Sequence, residues 1–466
     1  MKYVLFGTGD YYNRYKKWFD DKHVVALIDN SKKKHNTVID GHIVISPEEV
    51  LNIEYDIIVI LSFYVKQMKQ QLLDLGIMEN KIYHFFQLHD LFKDDYKKKD
   101  KMVYKIDNYD EMGNKKALLI SHDLSLGGPA LALMNAAIAI KNMGFDVTYT
   151  SMIDGPLAQN IVEQGIRVVV DENLQIQTLS ESDWNEGFDL IICNTISMYV
   201  LLSERNMGIP TIWWLHDSRQ YYDGVDRERI CGINRKNLAV VAVSAIPKNA
   251  IQEFIYDLNV GNLVYATPEV SGNIIKRLDK KSLSFITIGF IEPHKGQDLL
   301  VGAIKNIPND ILSECEFTFV GKNTSLYAQE LMIQVKNVPE IRVVGSVDRN
   351  KIHELIEDAD VLICPSRQDS MPTVCAEAMM HSKPCLISDG TGTVNYIEDE
   401  VNGLIFESEN VEQLSAKIIW CYKNKDKLTE MGIEAYKVYK EVFSKEAFEK
   451  NIRELVTKVM IDNNVK

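Results

Sequence analysis

Two carboxylates, Asp369 and Glu377, bracket the stretch Ser370-Met-Pro-Thr-Val-Cys-Ala376. The preceding Val361-Leu-Ile-Cys364 is a short apolar run that stops at Pro365 and Ser366, and Thr373 to Met380 favours a helix, so the pattern predicts strand, loop and helix. Pro372 suits a first helical turn, where a missing N–H costs nothing, and the free N–H groups of Thr373 and Val374 then face the strand's carboxyl end. Those donors and the helix dipole favour an anion. Asp369 in the loop and Glu377 near the second turn would accept from hydroxyls on opposite sides of a bound phosphate. A nucleotide sugar has that order of groups: ribose, diphosphate, hexose. The spacing alone equally fits an ordinary strand-to-helix connection with two solvated acids. It does not fit a glycosidase pair, whose carboxylates flank one bond from opposite sides.

Other residues fall at comparable places. Gly127 and Gly128 follow the apolar run Ala117–Ile120 and precede a helical stretch; they either let the backbone approach a ligand or simply turn the chain. Thr211–Leu215 ends at His216-Asp217, where the imidazole is either a ligand contact or a satisfied structural group. Ser244 and Lys248 after Val240–Val243 fit ligand contacts, or a helix cap and a solvated lysine. In Ile288-Gly289-Phe-Ile-Glu-Pro-His-Lys295-Gly296, before the helical Gln297–Ile304, Lys295 would neutralise an anionic leaving group. Gly321 ends a further apolar run, and Gly390-Thr391 follow Cys385–Ser388. Asp358-Ala-Asp360 has the D-x-D form of a metal site but stands before a strand, at the wrong end for a cleft ligand, so no metal is expected.

In this order the motifs resemble those of family 4 retaining glycosyltransferases over roughly residues 115–445. The stretch from Asp369 to Glu377 is similar to that family's E-x7-E motif, with Asp369 in place of the first Glu. The resemblance implies an α/β GT-B fold, two facing Rossmann-like domains with the donor between them. It implies that Glu377 binds ribose hydroxyls, that Asp369 and His216 contact the transferred sugar, and that Lys295 assists the leaving diphosphate. Gly127, Gly128, Gly289, Gly321, Met371, Thr373, Val374, Gly390 and Thr391 would line the donor. Where the family carries Gly-Arg-x-x-x-x-Lys-Gly this chain has Phe290, and Arg367 is the candidate replacement cation, unless it forms a surface salt bridge. The implied reaction is metal-independent transfer of a sugar, with retention, from a nucleoside-diphosphate sugar to a saccharide, lipid-linked or protein-linked hydroxyl in polysaccharide, capsule or glycoconjugate synthesis. No tightly bound cofactor is implied. The missing arginine keeps open a catalytically idle GT-B protein that binds or stabilises another transferase.

The elements that must position these residues are legible in outline. The 466 residues exceed one ordinary core, and 46% hydrophobic content supports complete folding. A net charge of −14 argues against a dedicated nucleic-acid binder. Seven cysteines without a C-x-x-C pair read as reduced core residues rather than disulfides or zinc ligands. No signal peptide or membrane span is evident, which predicts a cytoplasmic protein, at the inner membrane face if its acceptor is lipid-linked. Short apolar runs alternating with helical patterns predict parallel sheets covered by helices. The expected units are a small Rossmann-like accessory domain at 1–92, a linker at 93–114, GT-B domains at 115–270 and 271–444, and a terminal helix at 445–466 returning to the first GT-B domain. Gly7, Gly9 and Asp29 in the accessory domain have the turn and acid of a nucleotide site, with docking or regulation as the other reading. Residues 93–105 hold six Lys and three Asp, a local charge of +3, which suits a solvated linker or a patch near anionic lipid. The oligomeric state is not legible.

Overall fold

The computed structural model describes residues 1–94, 96–105, 115–270, 282–322, 325–336 and 338–464. The apolar runs become strands of three largely parallel sheets. Parallel neighbours need crossover helices, and those helices bury both sheet faces, so central strands such as Leu190–Asn194, apolar up to its final Asn194, and Val361–Cys364 are fully buried.

In the first sheet the order is Val38–Ile39, His42–Ile45, Val24–Ile28, Tyr3–Phe6, Ile57–Ile60 and Ile82–His84. The second runs Val260–Asn262, Leu238–Ala242, Thr211–Leu215, Leu190–Asn194, Lys115–Ser121, Phe145–Ser151, Arg167–Val170 and Met102–Tyr104. The third runs Ile341–Gly345, Cys315–Val320, Leu283–Ile288, Val361–Cys364, Cys385–Ser388 and Gly403–Phe406. Each order reverses direction beside the first long strand of its sheet. The loops leaving that strand and its neighbour therefore diverge, opening a crevice at the carboxyl ends. In the second sheet the crevice lies between Lys115–Ser121 and Leu190–Asn194, and in the third between Leu283–Ile288 and Val361–Cys364.

One buried apolar cluster runs from the second sheet (Leu119, Trp214) into the third unit (Leu362, Cys375), so the two are joined by a continuous core. The helix Lys445–Asn464 packs onto the second unit: Phe448, Ile452 and Val456 are buried in that cluster, and the Phe448 ring stacks on Trp214 at 5.8 Å between centroids. The first unit is also docked rather than tethered. Trp18 Nε1 donates to Gln175 Oε1 at 2.8 Å, His89 Nδ1 lies 2.8 Å from the Ile176 carbonyl, and Ile176 itself belongs to the first unit's core.

The stretch expected as a linker departs from that reading. Met102–Tyr104 pairs antiparallel with Arg167–Val170 as an edge strand. Three of the six lysines of 93–105 are paired: Lys98 meets Asp183 at 3.0 Å, Lys99 meets Glu172 at 3.5 Å and Lys101 meets Asp171 at 3.6 Å. The local positive charge is thus matched in part by acids of the second unit, which a count over the segment alone does not show. Residues 106–114, and residues 271–281 at the expected boundary between the two GT-B domains, lie outside the described residues. Among the described residues no helix is long and apolar enough to cross a membrane.

Truncating Phe448 to Ala removes a ring that is 1% exposed and stacked on Trp214. We expect a loss of about 3–5 kcal/mol, read as a lower denaturant midpoint in tryptophan-detected unfolding; a change within the error of the midpoint would mean the terminal helix is not part of this core.

Candidate functional site

The third unit's crevice is built from the residues the sequence singled out. After Val361–Cys364 the chain turns through Ser366 and enters the helix Thr373–Met380, with Pro372 at its N-cap. Thr373 and Val374 line a cavity of about 300 Å³ together with Gly289, Gly321, Lys295 and Asp369. Gly321 is at φ 153°, and a Cβ there would lie 1.8 Å from the Gly289 carbonyl, so the two glycine loops touch in a way no side chain would permit. Lys295 Nζ donates to Asp369 Oδ2 at 2.6 Å. Burial disfavours the lysine's charge, but the adjacent Asp369 charge and hydrogen bond outweigh it and raise its pKa. The cleft therefore carries a firmly cationic lysine beside a helix N-terminus.

The loop that aims Asp369 is fixed by backbone: Asp369 N donates to the Gly390 carbonyl at 3.0 Å, and Gly392 N donates to the Asp369 carbonyl at 2.9 Å. Gly390 and the buried Thr391, whose Oγ1 donates to the Ser388 carbonyl at 3.0 Å, thus brace the acid from behind. Glu377 is 3% exposed and held by the Arg349 guanidinium, a partner that sequence reading did not find. Lys322 lines the cavity beside Gly321 and Phe290. Arg367 does not replace the arginine missing at Phe290. Its guanidinium is spent on Asp298 (2.8 and 2.7 Å), Glu409 (2.6 Å) and the Pro293 carbonyl.

Across the crevice, the second unit brings Gly127, Gly128, His122, Thr195 and His216 to a cavity of about 380 Å³ that also touches Lys295, Asp369, Met371 and Thr373. A Cβ on Gly128 would come within 3.6 Å of Thr373 Cγ2, so the diglycine loop faces the helix N-terminus. Ser244 caps the helix Ala245–Gln252 and also donates to the Ser370 carbonyl, while Tyr265 Oη donates to the Met371 carbonyl at 3.2 Å. Lys248 is exposed. His216 Nε2 and Thr195 Oγ1 are buried without a hydrogen-bond partner among the described residues. Buried polar atoms are rarely left so. Thr195 also holds φ 76°, a costly conformation for a β-branched residue and one that recurs at ligand sites.

In the first unit the tentative nucleotide residues do other work. Asp29 accepts from Thr8 N at 3.2 Å, from Ser31 N at 2.8 Å and from Lys34 Nζ at 2.9 Å. Gly7 packs against the Leu61 carbonyl, 2.6 Å from where a Cβ would be, and Gly9 begins the short helix Asp10–Tyr15. The acid thereby ties the glycine turn to the second strand. Asp360, in the D-x-D pattern, accepts from Ser284 N at 2.9 Å and anchors a strand start at the far end of the sheet.

Burial, with His122 nearby, pushes the His216 pKa down to about 3 from 6.5, so the imidazole is neutral. Between those values the unfolded chain binds a proton that the folded protein refuses, so this contribution to stability falls as pH falls. Asp217 is opposite: burial, only partly offset by backbone hydrogen bonds such as Ile196 N at 2.6 Å, raises its pKa to about 6 from 3.8, so its contribution grows as pH falls through that window. Denaturant titrations at pH 6.5 and pH 4 should show His216→Asn losing less stability on acidification than the parent chain and Asp217→Asn losing more; identical slopes would contradict the burial assigned to both groups.

Comparison with known proteins bears on the same geometry. The family described as "Glycosyl transferases group 1" matches residues 273–438, "Glycosyl-transferase family 4" matches 113–245, and "C2185-like, N-terminal" matches 1–83. An uncharacterised glycosyltransferase of Methanocaldococcus jannaschii is 26% identical over 71% of this chain and 94% of its own length. The Escherichia coli UDP-Gal:alpha-D-GlcNAc-diphosphoundecaprenol alpha-1,3-galactosyltransferase is 24% identical over 36% of this chain and 42% of its own. HepE of Anabaena, solved with UDP and glucose, shares the fold at a TM-score of 0.59 and 18% identity, covering 74% of this chain and 100% of its own. Both halves of the crevice thus fall inside matched regions, and the chain belongs to the family 4 glycosyltransferases of GT-B fold, with an additional N-terminal unit.

Proposed function

We propose that this glycosyltransferase moves a sugar from a nucleoside diphosphate to an acceptor hydroxyl with retention of configuration, and that the protein's own cationic groups take the role a metal ion has elsewhere. The observation that carries the reading is the Lys295–Asp369 pair at 2.6 Å beside the N-terminus of Thr373–Met380, in a cavity that continues to His216 on the facing unit. A diphosphate placed there meets the N–H groups of Thr373 and Val374 and draws Lys295 away from Asp369, whose carboxylate is then free to accept from a sugar hydroxyl. Glu377, positioned by Arg349, reads the ribose hydroxyls. The unpartnered His216 Nε2, on a neutral ring, meets a hydroxyl of the transferred sugar.

As the glycosidic bond breaks, negative charge grows on the diphosphate, where Lys295, Lys322 and the helix dipole stabilise it. The acceptor hydroxyl attacks from the face the diphosphate leaves and passes its proton to a departing phosphate oxygen. A UDP sugar is the first donor to test, because HepE binds UDP and the Escherichia coli relative is named for UDP-Gal. The latter's diphosphoundecaprenol acceptor also supports a saccharide or lipid-linked acceptor here, met on the cytoplasmic side.

Incubating the protein with a panel of nucleotide sugars, without acceptor, should release nucleoside diphosphate slowly by hydrolysis. Lys295→Ala should cut that rate about 10²–10³-fold, the scale of one lost charge-stabilising donor, while the protein stays folded. Binding of no nucleotide sugar by folded protein would refute the reading. Nucleotide binding with no turnover, unchanged in Glu377→Ala, would instead favour an idle cleft serving another transferase.

A further inference from the structure

A third cavity, of about 380 Å³, lies between the first and second units. It opens into the transfer cleft, because His122, Asp217, Tyr221 and Phe290 line both. Its outer wall comes from the N-terminal unit: Tyr11, Arg14, Phe63 and Phe86. We propose that the N-terminal unit completes the acceptor subsite, and that the acceptor portion held there is an uncharged saccharide. The proposal rests on the reading of the cleft as the place of sugar transfer.

Three observations support it. The wall is fixed in place, since Phe86 packs edge-on against Tyr199 at 5.8 Å and Phe63 against Tyr221 at 4.7 Å, in addition to the Trp18 and His89 contacts between the units. The chemistry is mixed: ring faces suit the C–H faces of a pyranose, while Gln220 and the buried His122 Nδ1, without a hydrogen-bond partner among the described residues, suit hydroxyls. No unpaired cation lines it among the described residues, because Arg14 Nη2 lies 3.2 Å from Asp123 Oδ2 and burial holds the His122 pKa below its ordinary value, while Asp217 adds a carboxylate. A phosphate would meet Asp123 and Asp217, and an alkyl chain would strand the Arg14–Asp123 pair without solvent. A neutral polyol meets neither cost.

Saturation-transfer NMR on the full chain, with UDP present, tests this using methyl glycosides and disaccharides of glucose, galactose, mannose and N-acetylglucosamine, and dodecyl phosphate as the lipid-like probe. We expect transfer to the ring C–H protons of at least one neutral sugar. Tyr11→Ala and Phe63→Ala should each weaken that sugar about tenfold while leaving UDP affinity and thermal unfolding of the second and third units unchanged. UDP binding without sugar binding, equal sugar affinity in both variants, or binding of dodecyl phosphate alone would overturn the acceptor assignment while leaving the donor reading intact. Sugar binding at Tyr11 and Phe63 in a protein that binds neither UDP nor any nucleotide sugar of the panel would overturn the transfer reading, and with it the cavity's role as an acceptor subsite.

Discussion

The cleft is organised around one electrostatic constraint: a lysine placed in a largely desolvated crevice must always have an anionic partner. With Asp369 at 2.6 Å that condition is met by the protein itself. Removing either member would leave an uncompensated charge, which costs far more than the pair contributes. The arrangement therefore favours exchange over loss. On the proposed reading an incoming diphosphate would replace Asp369 as the partner of Lys295 and free the carboxylate at the same moment for a neutral hydroxyl. Glu377 and Arg349 form a second such pair one turn along the same helix, so both ends of the donor would be recognised by groups that exchange partners.

The fold delivers these charges by topology rather than by loop design. Parallel sheets with an order reversal place a divergent pair of loops at the carboxyl ends, and in the second and third sheets the candidate site residues occupy those loops: Gly127, Gly128 and Thr195 in one, Lys295 and Asp369 in the other. The shared core through Leu119, Trp214, Leu362 and Cys375, with Phe448 of the terminal helix in the same cluster, holds the two crevices face to face. The N-terminal unit then covers the side of the cleft away from Gly321, and its aromatic residues become part of the same continuous space.

Much of this was legible in sequence because the relevant signals are local. Val361–Cys364 and Thr373–Met380 fall where the apolar run and Pro372 put them, and a lysine or an acid beside such a turn has few other places to go. What was not legible depends on contacts distant along the chain. Arg367 fits by sequence either a replacement for the arginine missing at Phe290 or a surface salt bridge, and only its distant partners Asp298 and Glu409 decide for the salt bridge. Arg349 reaches the site from the start of the helix Arg349–Asp358, and Lys322 from the loop after Cys315–Val320. Asp29 matched a nucleotide-binding acid in spacing, but its oxygens are taken by Thr8, Ser31 and Lys34. Lys98, Lys99 and Lys101 belong to a segment with a positive count of its own, while their acidic partners Asp183, Glu172 and Asp171 stand far along the chain in the second unit.

Partner exchange at Lys295 is most directly tested by titration calorimetry of UDP with Asp369→Asn. If Asp369 only neutralises Lys295 until a diphosphate arrives, the asparagine variant binds UDP as tightly as the parent chain or more tightly, because the lysine no longer has to be drawn from a carboxylate. Binding weakened by about tenfold or more would show that Asp369 itself holds the nucleotide, and would contradict the exchange.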